Sequence, residues 1–165
     1  MRLEACVACL CLCLAAGAAL AQLTPVDPDW KESDAPPPPA LRLEGLIELE
    51  VQRSSLKFAV DPASISVGSD GVVRYVVVVR GENNVSAVYE GIRCNTADFK
   101  VYARYNAPGG WVATRQIEWK PLTQNSSARH SLVLAQSGVC TGNSPNRSQA
   151  QIVRDLNAPT HLRFN

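Results

Sequence analysis

From Leu46 the chain alternates between apolar and polar positions. Ile47, Leu49 and Val51 are apolar, and Glu48, Glu50 and Gln52 lie between them. A period of two places the apolar set on one face of a strand. Leu56, Phe58 and Val60 repeat the pattern up to Asp61-Pro62, a turn former. Ile65 and Val67 continue it to Ser69-Asp70-Gly71. Asp-Gly between two strand-like runs predicts a hairpin. Residues 72–79 are the most apolar stretch outside the N-terminal segment, and their β-branched continuity predicts a central strand covered on both faces. Glu82-Asn83-Asn84 makes the next turn, residues 85–94 and 99–105 read as two more strands, and Pro108-Gly109-Gly110 turns into another over 111–119.

The last third changes period. Residues 126–136 read as a short helix. Ser148 caps a second helix, with Ile152, Val153 and Leu156 on one side and Pro159 ending it. The expected class is α+β: a mainly antiparallel sheet of about six or seven strands with one or two C-terminal helices and one disulfide.

The N-terminus follows a different logic. Met1-Arg2 is followed by an apolar stretch over 5–16 and then by Ala19-Leu20-Ala21. A positive start, a short apolar core and a small-x-small end predict a signal peptide cleaved after Ala21. The stretch is short for an uncleaved membrane anchor, which needs about 20 residues. No later segment is long and apolar enough to span. Cys6, Cys9, Cys11 and Cys13 lie in this segment, but Cys13 follows Leu12 and precedes the small residues, the wrong order for lipid attachment. Cleavage leaves Cys94 and Cys140, which should pair in an oxidising compartment. The competing reading is a metal site. Against it, the pair lacks CxxC spacing, and His130 and His161 are the only histidines.

Between signal and strands lies a leader, residues 22–41, with Pro25, Pro28 and the run Pro36-Pro37-Pro38-Pro39. Consecutive prolines favour extended polyproline II structure, so the leader reads as a stiff spacer rather than as a ligand for a proline-recognition domain. Trp30 interrupts it and can anchor it against the domain.

The formal net charge is +1 at pH 7, which argues against a dedicated nucleic-acid binder. Residues 27–50 carry seven acids and two bases, whereas 74–165 carry eleven bases and five acids. No adjacent basic run exists, so charges scattered over both faces explain this better than a basic surface for an anionic partner.

Motifs for chemistry are sparse. The chain has no phosphate-cradling glycine loop, GxSxG elbow or HExxH pair, so neither a cofactor nor a metal is expected. Ser126, Ser127 and Ser131 neighbour His130 in sequence, but adjacent side chains on a helix do not face each other. Glu48 and Glu50 share a strand face that reads as solvated rather than as an acid–base pair. Glu90 and Asp98 flank Cys94 with nothing to fix their geometry. Tyr89, Tyr102, Tyr105, Trp111 and Trp119 interleave with Arg93, Arg104 and Arg115. These side chains are either core aromatics with arginines on the other face, or a surface that stacks and hydrogen-bonds a ligand. In the second reading Arg104 and Trp111, flanking one hairpin turn, share that surface. Asn84, Asn125 and Asn146 begin N-x-Ser/Thr triplets, which matter only in a eukaryotic source.

The run Phe58-Ala59-Val60-Asp61-Pro62-Ala63-Ser64-Ile65-Ser66-Val67-Gly68-Ser69-Asp70-Gly71-Val72-Val73-Arg74-Tyr75 is similar to one in the cryptic neisserial protein-like family. So are Tyr89-Glu90-Gly91-Ile92-Arg93-Cys94 followed by Tyr102-Ala103, the leading Asp29-Trp30-Lys31-Glu32, and Gly110-Trp111. The resemblance covers most of residues 29–157. It implies an exported protein of the Gram-negative envelope, periplasmic or lipid-anchored, with no established activity or catalytic residues to carry over. It also implies pairing of Cys94 with a cysteine near 140. The chain departs from the family around 136–142, where aromatic residues would precede the cysteine. The resulting map is a signal peptide (1–21), a leader (22–41), a cryptic neisserial protein-like domain (42–158) and a tail (159–165). The function it points to is a periplasmic, non-catalytic binding or structural module with an unidentified envelope partner. The alternative is a hydrolase of cell-wall or glycan material.

Overall fold

The computed structural model describes residues 27–115, 118–123 and 128–158. The expected signal segment with its expected cleavage site, Asn125, Ser126, Ser127, Pro159 and His161 lie outside the described residues. Strands are β1 (Ile47–Leu49), β2 (Lys57–Val60), β3 (Ser66–Val67), β4 (Val72–Arg80), β5 (Val85–Arg93), β6 (Asp98–Asn106), β7 (Gly110–Ala113), β8 (Lys120–Pro121), β9 (Cys140–Thr141) and β10 (Ser144–Pro145). The helices are α1 (Arg129–Leu134) and α2 (Gln149–Asn157). One sheet of eight strands runs β1-β2-β4-β5-β6-β7, with β3 on β4 and β8 on β6, and every pair is antiparallel. The expected class is therefore observed. The strand beyond the expected seven is β8, a two-residue pairing with β6.

β4 is the axis. Each of its nine residues pairs with β5, from Val72↔Arg93 to Arg80↔Val85. Val73, Tyr75 and Val77 are buried on one face and Val72, Val76 and Val78 on the other. β2 and β3 lie end to end along the far side of β4, separated by a 3-10 turn, Pro62–Ser64. That gap is closed by Ser64, whose Oγ donates to the Asp61 carbonyl at 2.6 Å and accepts from the Val76 amide at 2.8 Å. Gly71 takes φ 77° in the β3–β4 hairpin, the left-handed region that the Asp-Gly pair anticipates.

Two strands end earlier than their hydrophobic pattern. β1 stops at Leu49 because the Val51 amide donates back to the Leu49 carbonyl and Arg53 takes φ 56°. β7 stops at Ala113. There the Thr114 amide donates to the Tyr102 carbonyl at 2.9 Å and its hydroxyl to the Val101 carbonyl at 2.6 Å. The chain leaves the ladder and rejoins β6 only at β8, opposite Asp98 and Phe99.

The two faces of the sheet have different covers. α1, α2 and the turn between them pack on one face, burying Leu134, Val139, Ile152 and Leu156 against Tyr75, Val77, Ile92 and Phe99. α1 does not stop at Gln136 as its sequence suggests. It widens into a π-type turn, Ala135–Val139, closed by Gly138 at φ 140°. The turn is tied down by Asn146, whose Nδ2 donates to the Gly138 carbonyl and to the Asp155 carboxylate. Asn146 is thus buried and committed, and the sequon it heads is structural. α2 starts at Ser148, whose hydroxyl accepts from the Gln151 amide.

The other face is covered by the leader, which is part of the fold rather than a spacer before it. Trp30 Nε1 donates to the Asp70 carbonyl at 2.8 Å, and Trp111 Nε1 donates to the Pro39 carbonyl at 2.9 Å. Leu41 and Leu46 pack on Val76, Val78, Ala87, Tyr89 and Ala103. Polyproline structure suits this strap because it needs no ladder donors. Among the described residues no helix is long and apolar enough to cross a membrane.

Cys94, just after β5, is bonded to Cys140, with Cα atoms 5.7 Å apart and a sequence separation of 46. Closing a loop of this length stabilises a fold by about 4 kcal/mol in the chain-entropy model. Replacing both cysteines with serine should lower the unfolding free energy by that order in a denaturant titration. Thiol titration of the denatured, exported wild type should find no free thiol.

Candidate functional site

Three polar clusters differ in burial. The first is sealed in the core. Glu90 on β5 falls on the same face as Val88 and Ile92 and is 1 % exposed. Both its oxygens lie near His130 Nε2, at 3.1 and 3.0 Å. Ser131 donates to Oε2 at 2.9 Å and Tyr75 at 3.3 Å. Phe58 stacks on the imidazole at 5.0 Å. Burial alone would push the Glu90 carboxyl toward its neutral form. The charge of His130 and the hydrogen bonds from His130, Ser131 and Tyr75 outweigh it, and the group sits below its ordinary value. Burial likewise disfavours protonated His130, but Glu90 outweighs it and the opposing charge of Arg104, leaving the imidazole above its ordinary value. The pair fastens α1 to the sheet. Ser131 donates to the carboxylate rather than to the imidazole, so it is not an activated nucleophile.

The second cluster pins the strap. Arg74, 3 % exposed, holds both Asp70 oxygens, at 2.7 and 3.3 Å, and reaches the Ser33 carbonyl and Glu32. Glu32 also accepts from Lys100 at 2.7 Å and from Tyr102 at 2.6 Å. Burial disfavours the charged form of Glu32, but those two hydrogen bonds and the charges of Lys100 and Arg74 hold its carboxyl below the usual range. Beside it Arg93 lies over the Trp30 ring at 4.3 Å and the Trp119 ring at 5.3 Å, and pairs with Asp98 at 3.0 Å. Every one of these cations has an acid of its own.

The third is open. A groove of about 330 Å3 lies where β7 leaves the ladder, with Phe99 and Val101 on its floor and Val112, Arg104, Arg115 and Lys120 around it. Glu118 and Asn106 also line it. Arg104 and Arg115 are exposed and form no hydrogen bond or ion pair among the described residues.

The register corrects one expectation. Arg104 is opposite Val112, and Trp111 is opposite Tyr105. Adjacent rungs point to opposite faces, so Arg104 and Trp111 do not share a surface. Trp111 belongs to the strap side, 5.4 Å from Tyr105. Arg104 lies on the helix side, close enough for its charge to act on His130. Of the other candidates, Glu48 pairs with Arg80 at the surface, and Asp98 with Arg93. Sequence reasoning passed over Glu90. The available signal was its register, since it occupies the core face between Val88 and Ile92. Among the described residues no three His, Cys, Asp or Glu side chains could hold a metal ion. A cavity of about 800 Å3 borders the disulfide, but its acid, Asp155, is already bound by Asn146 and Gln151.

Two outcomes follow. Glu90, with a lowered folded pKa, contributes stability that is present above its ordinary 4.5 and lost as pH falls through the folded value. His130, with a raised folded pKa, contributes stability that is full below its ordinary 6.5 and lost as pH rises through the folded value. Their joint contribution should therefore be greatest between pH 4.5 and 6.5. Denaturant midpoints measured across pH will show the alkaline decline in the wild type and not in His130→Gln. That variant should cost about 3–5 kcal/mol within the window, as for one partner of a buried pair. Trp111→Ala should lower stability by about 2–3 kcal/mol, less than a fully buried Trp, and should speed proteolytic cleavage within residues 30–41.

A model of the CNP1-like family matches residues 26–157, which takes in the strap, the sheet and both helices. No curated protein and no solved structure matches the chain. With its family model spanning the whole folded unit, the chain belongs to the CNP1-like family.

Proposed function

We propose that the protein is an exported envelope protein that acts by binding, with the groove beside Arg104 as its recognition site. One contrast carries this reading. The convergent Glu90, His130 and Ser131 are buried and mutually satisfied, whereas Arg104 and Arg115 face solvent over an apolar floor without partners among the described residues. Hydrolysis needs an accessible base or nucleophile. Recognition needs accessible polar groups whose hydrogen bonds are still available. The signal-like N-terminus and the disulfide support placement in an oxidising periplasm.

Export and recognition are tested separately. Periplasmic fractionation with intact-mass analysis should find a chain beginning at Gln22; a mass that retains Met1–Ala21, or one that carries lipid, contradicts export by cleavage. Affinity capture from envelope extract should be weakened by Arg104→Ala. The melting temperature should barely move, because Arg104 is exposed and forms no hydrogen bond or ion pair among the described residues, and such a substitution changes stability by only about 0.5 kcal/mol. Equal capture by wild type and variant would remove the groove from the proposal.

A further inference from the structure

We propose that the Arg104 groove takes a small organic monoanion, a carboxylate on a short unbranched apolar body. The inference rests on the groove being the recognition site and names its ligand class.

Charge is the first argument. Three cations elsewhere on the sheet are matched: Arg74 with Asp70 and Glu32, Arg93 with Asp98, Lys100 with Glu32. The groove instead holds Arg104 and Arg115, which form no ion pair among the described residues, Glu118 included. Two unmatched guanidinium groups leave room for an anion, and a guanidinium fork fits the two oxygens of a carboxylate.

Shape and polarity limit the rest of the ligand. Val112 is 54 % exposed and stands directly across the strand pair from Arg104. With Val101 and Phe99 it forms an apolar wall within reach of the guanidinium. A methylene chain laid there removes apolar surface from water at roughly 25 cal/mol per Å2. An inorganic anion gains nothing from that wall. The volume of about 330 Å3 holds a short ligand. It admits on the order of ten non-hydrogen atoms at the share of space that liquid water gives each molecule. The groove is also bounded, with β7 at one end and β8 at the other, so it suits a compact molecule better than an extended acidic peptide.

The test is an NMR titration of the mature protein with sodium hexanoate, hexanamide, inorganic phosphate and a short acidic peptide. Hexanoate should give saturable amide shifts centred on Val101, Arg104, Val112 and Thr114. Hexanamide should bind at least about tenfold more weakly, since a charge-assisted hydrogen bond is worth about 1.5–3 kcal/mol, and phosphate should also bind at least about tenfold more weakly, since it buries no apolar surface on the wall. Arg104→Gln should weaken hexanoate by a similar factor. Val112→Asp, an exposed substitution that sets a carboxylate opposite Arg104, should do the same, each at an unchanged melting temperature. Equal binding of hexanamide, a silent Arg104→Gln, or shifts mapping elsewhere would overturn the proposal. If hexanoate leaves the spectrum unchanged while the acidic peptide shifts the same residues, the ligand class is wrong and the recognition site stands. If no probe shifts them and Arg104→Ala is silent in envelope capture, both fall.

Discussion

The structure depends on one constraint, which is that β4 must be buried on both faces. Its valines and tyrosine expose apolar surface in two directions, and an antiparallel sheet usually covers only one. The chain supplies two unlike covers from its two ends. The C-terminal third packs α1, α2 and a π-type turn on one face, and the disulfide joins that cover to the end of β5. The N-terminal leader crosses the other face as a proline-rich strap with Leu41 and Leu46 against the valines. Neither cover pairs with the sheet as a strand, so each needs side-chain fastenings to hold its place.

Those fastenings are the buried charges. Arg74 and Glu90 are set into the two central strands and point to opposite faces, because Arg74 pairs with Gly91 while Glu90 pairs with Tyr75. Each would be costly to bury alone. Arg74 is paired with Asp70 in its own hairpin and with Glu32 and Ser33 of the strap through its two terminal nitrogens. Glu90 is satisfied by His130 and Ser131 of α1 and by Tyr75. Each buried charge therefore recruits the cover on its own side. Apolar packing is non-directional, and these pairs set where the strap and the helix sit.

The groove exists because the helix cover is incomplete. Phe99 is buried under it, whereas Arg104 and Val112 on the same face are not. The early end of β7 leaves this margin open, since Thr114 bonds the carbonyls of Val101 and Tyr102 and the paired strand ends there. A site is thus left at the sheet margin without any strand being designed around it, where loop ends and unpaired side chains meet.

Much of this was written in local sequence. The period-two alternation, the β-branched run of 72–79, the Asp-Gly turn and the Ser148 cap determined the strands, the central position of β4, its hairpin and the start of α2, because each depends on neighbours within a few residues. The pairing of Cys94 with Cys140 followed from their being the two cysteines outside the N-terminal segment. The tertiary structure decided what depends on distant partners. Period two says that Arg104 and Trp111 lie on strands, but only the register between β6 and β7 says that they face opposite ways. Prolines at 36–39 predict an extended leader, but only Trp111 and Asp70, far along the chain, make it a strap. Glu90 looked like any acid beside a cysteine until His130, 40 residues away, closed on it. Local propensity fixes an element and its faces, whereas long-range register and burial fix which side chains meet, and a site is made of side chains that meet.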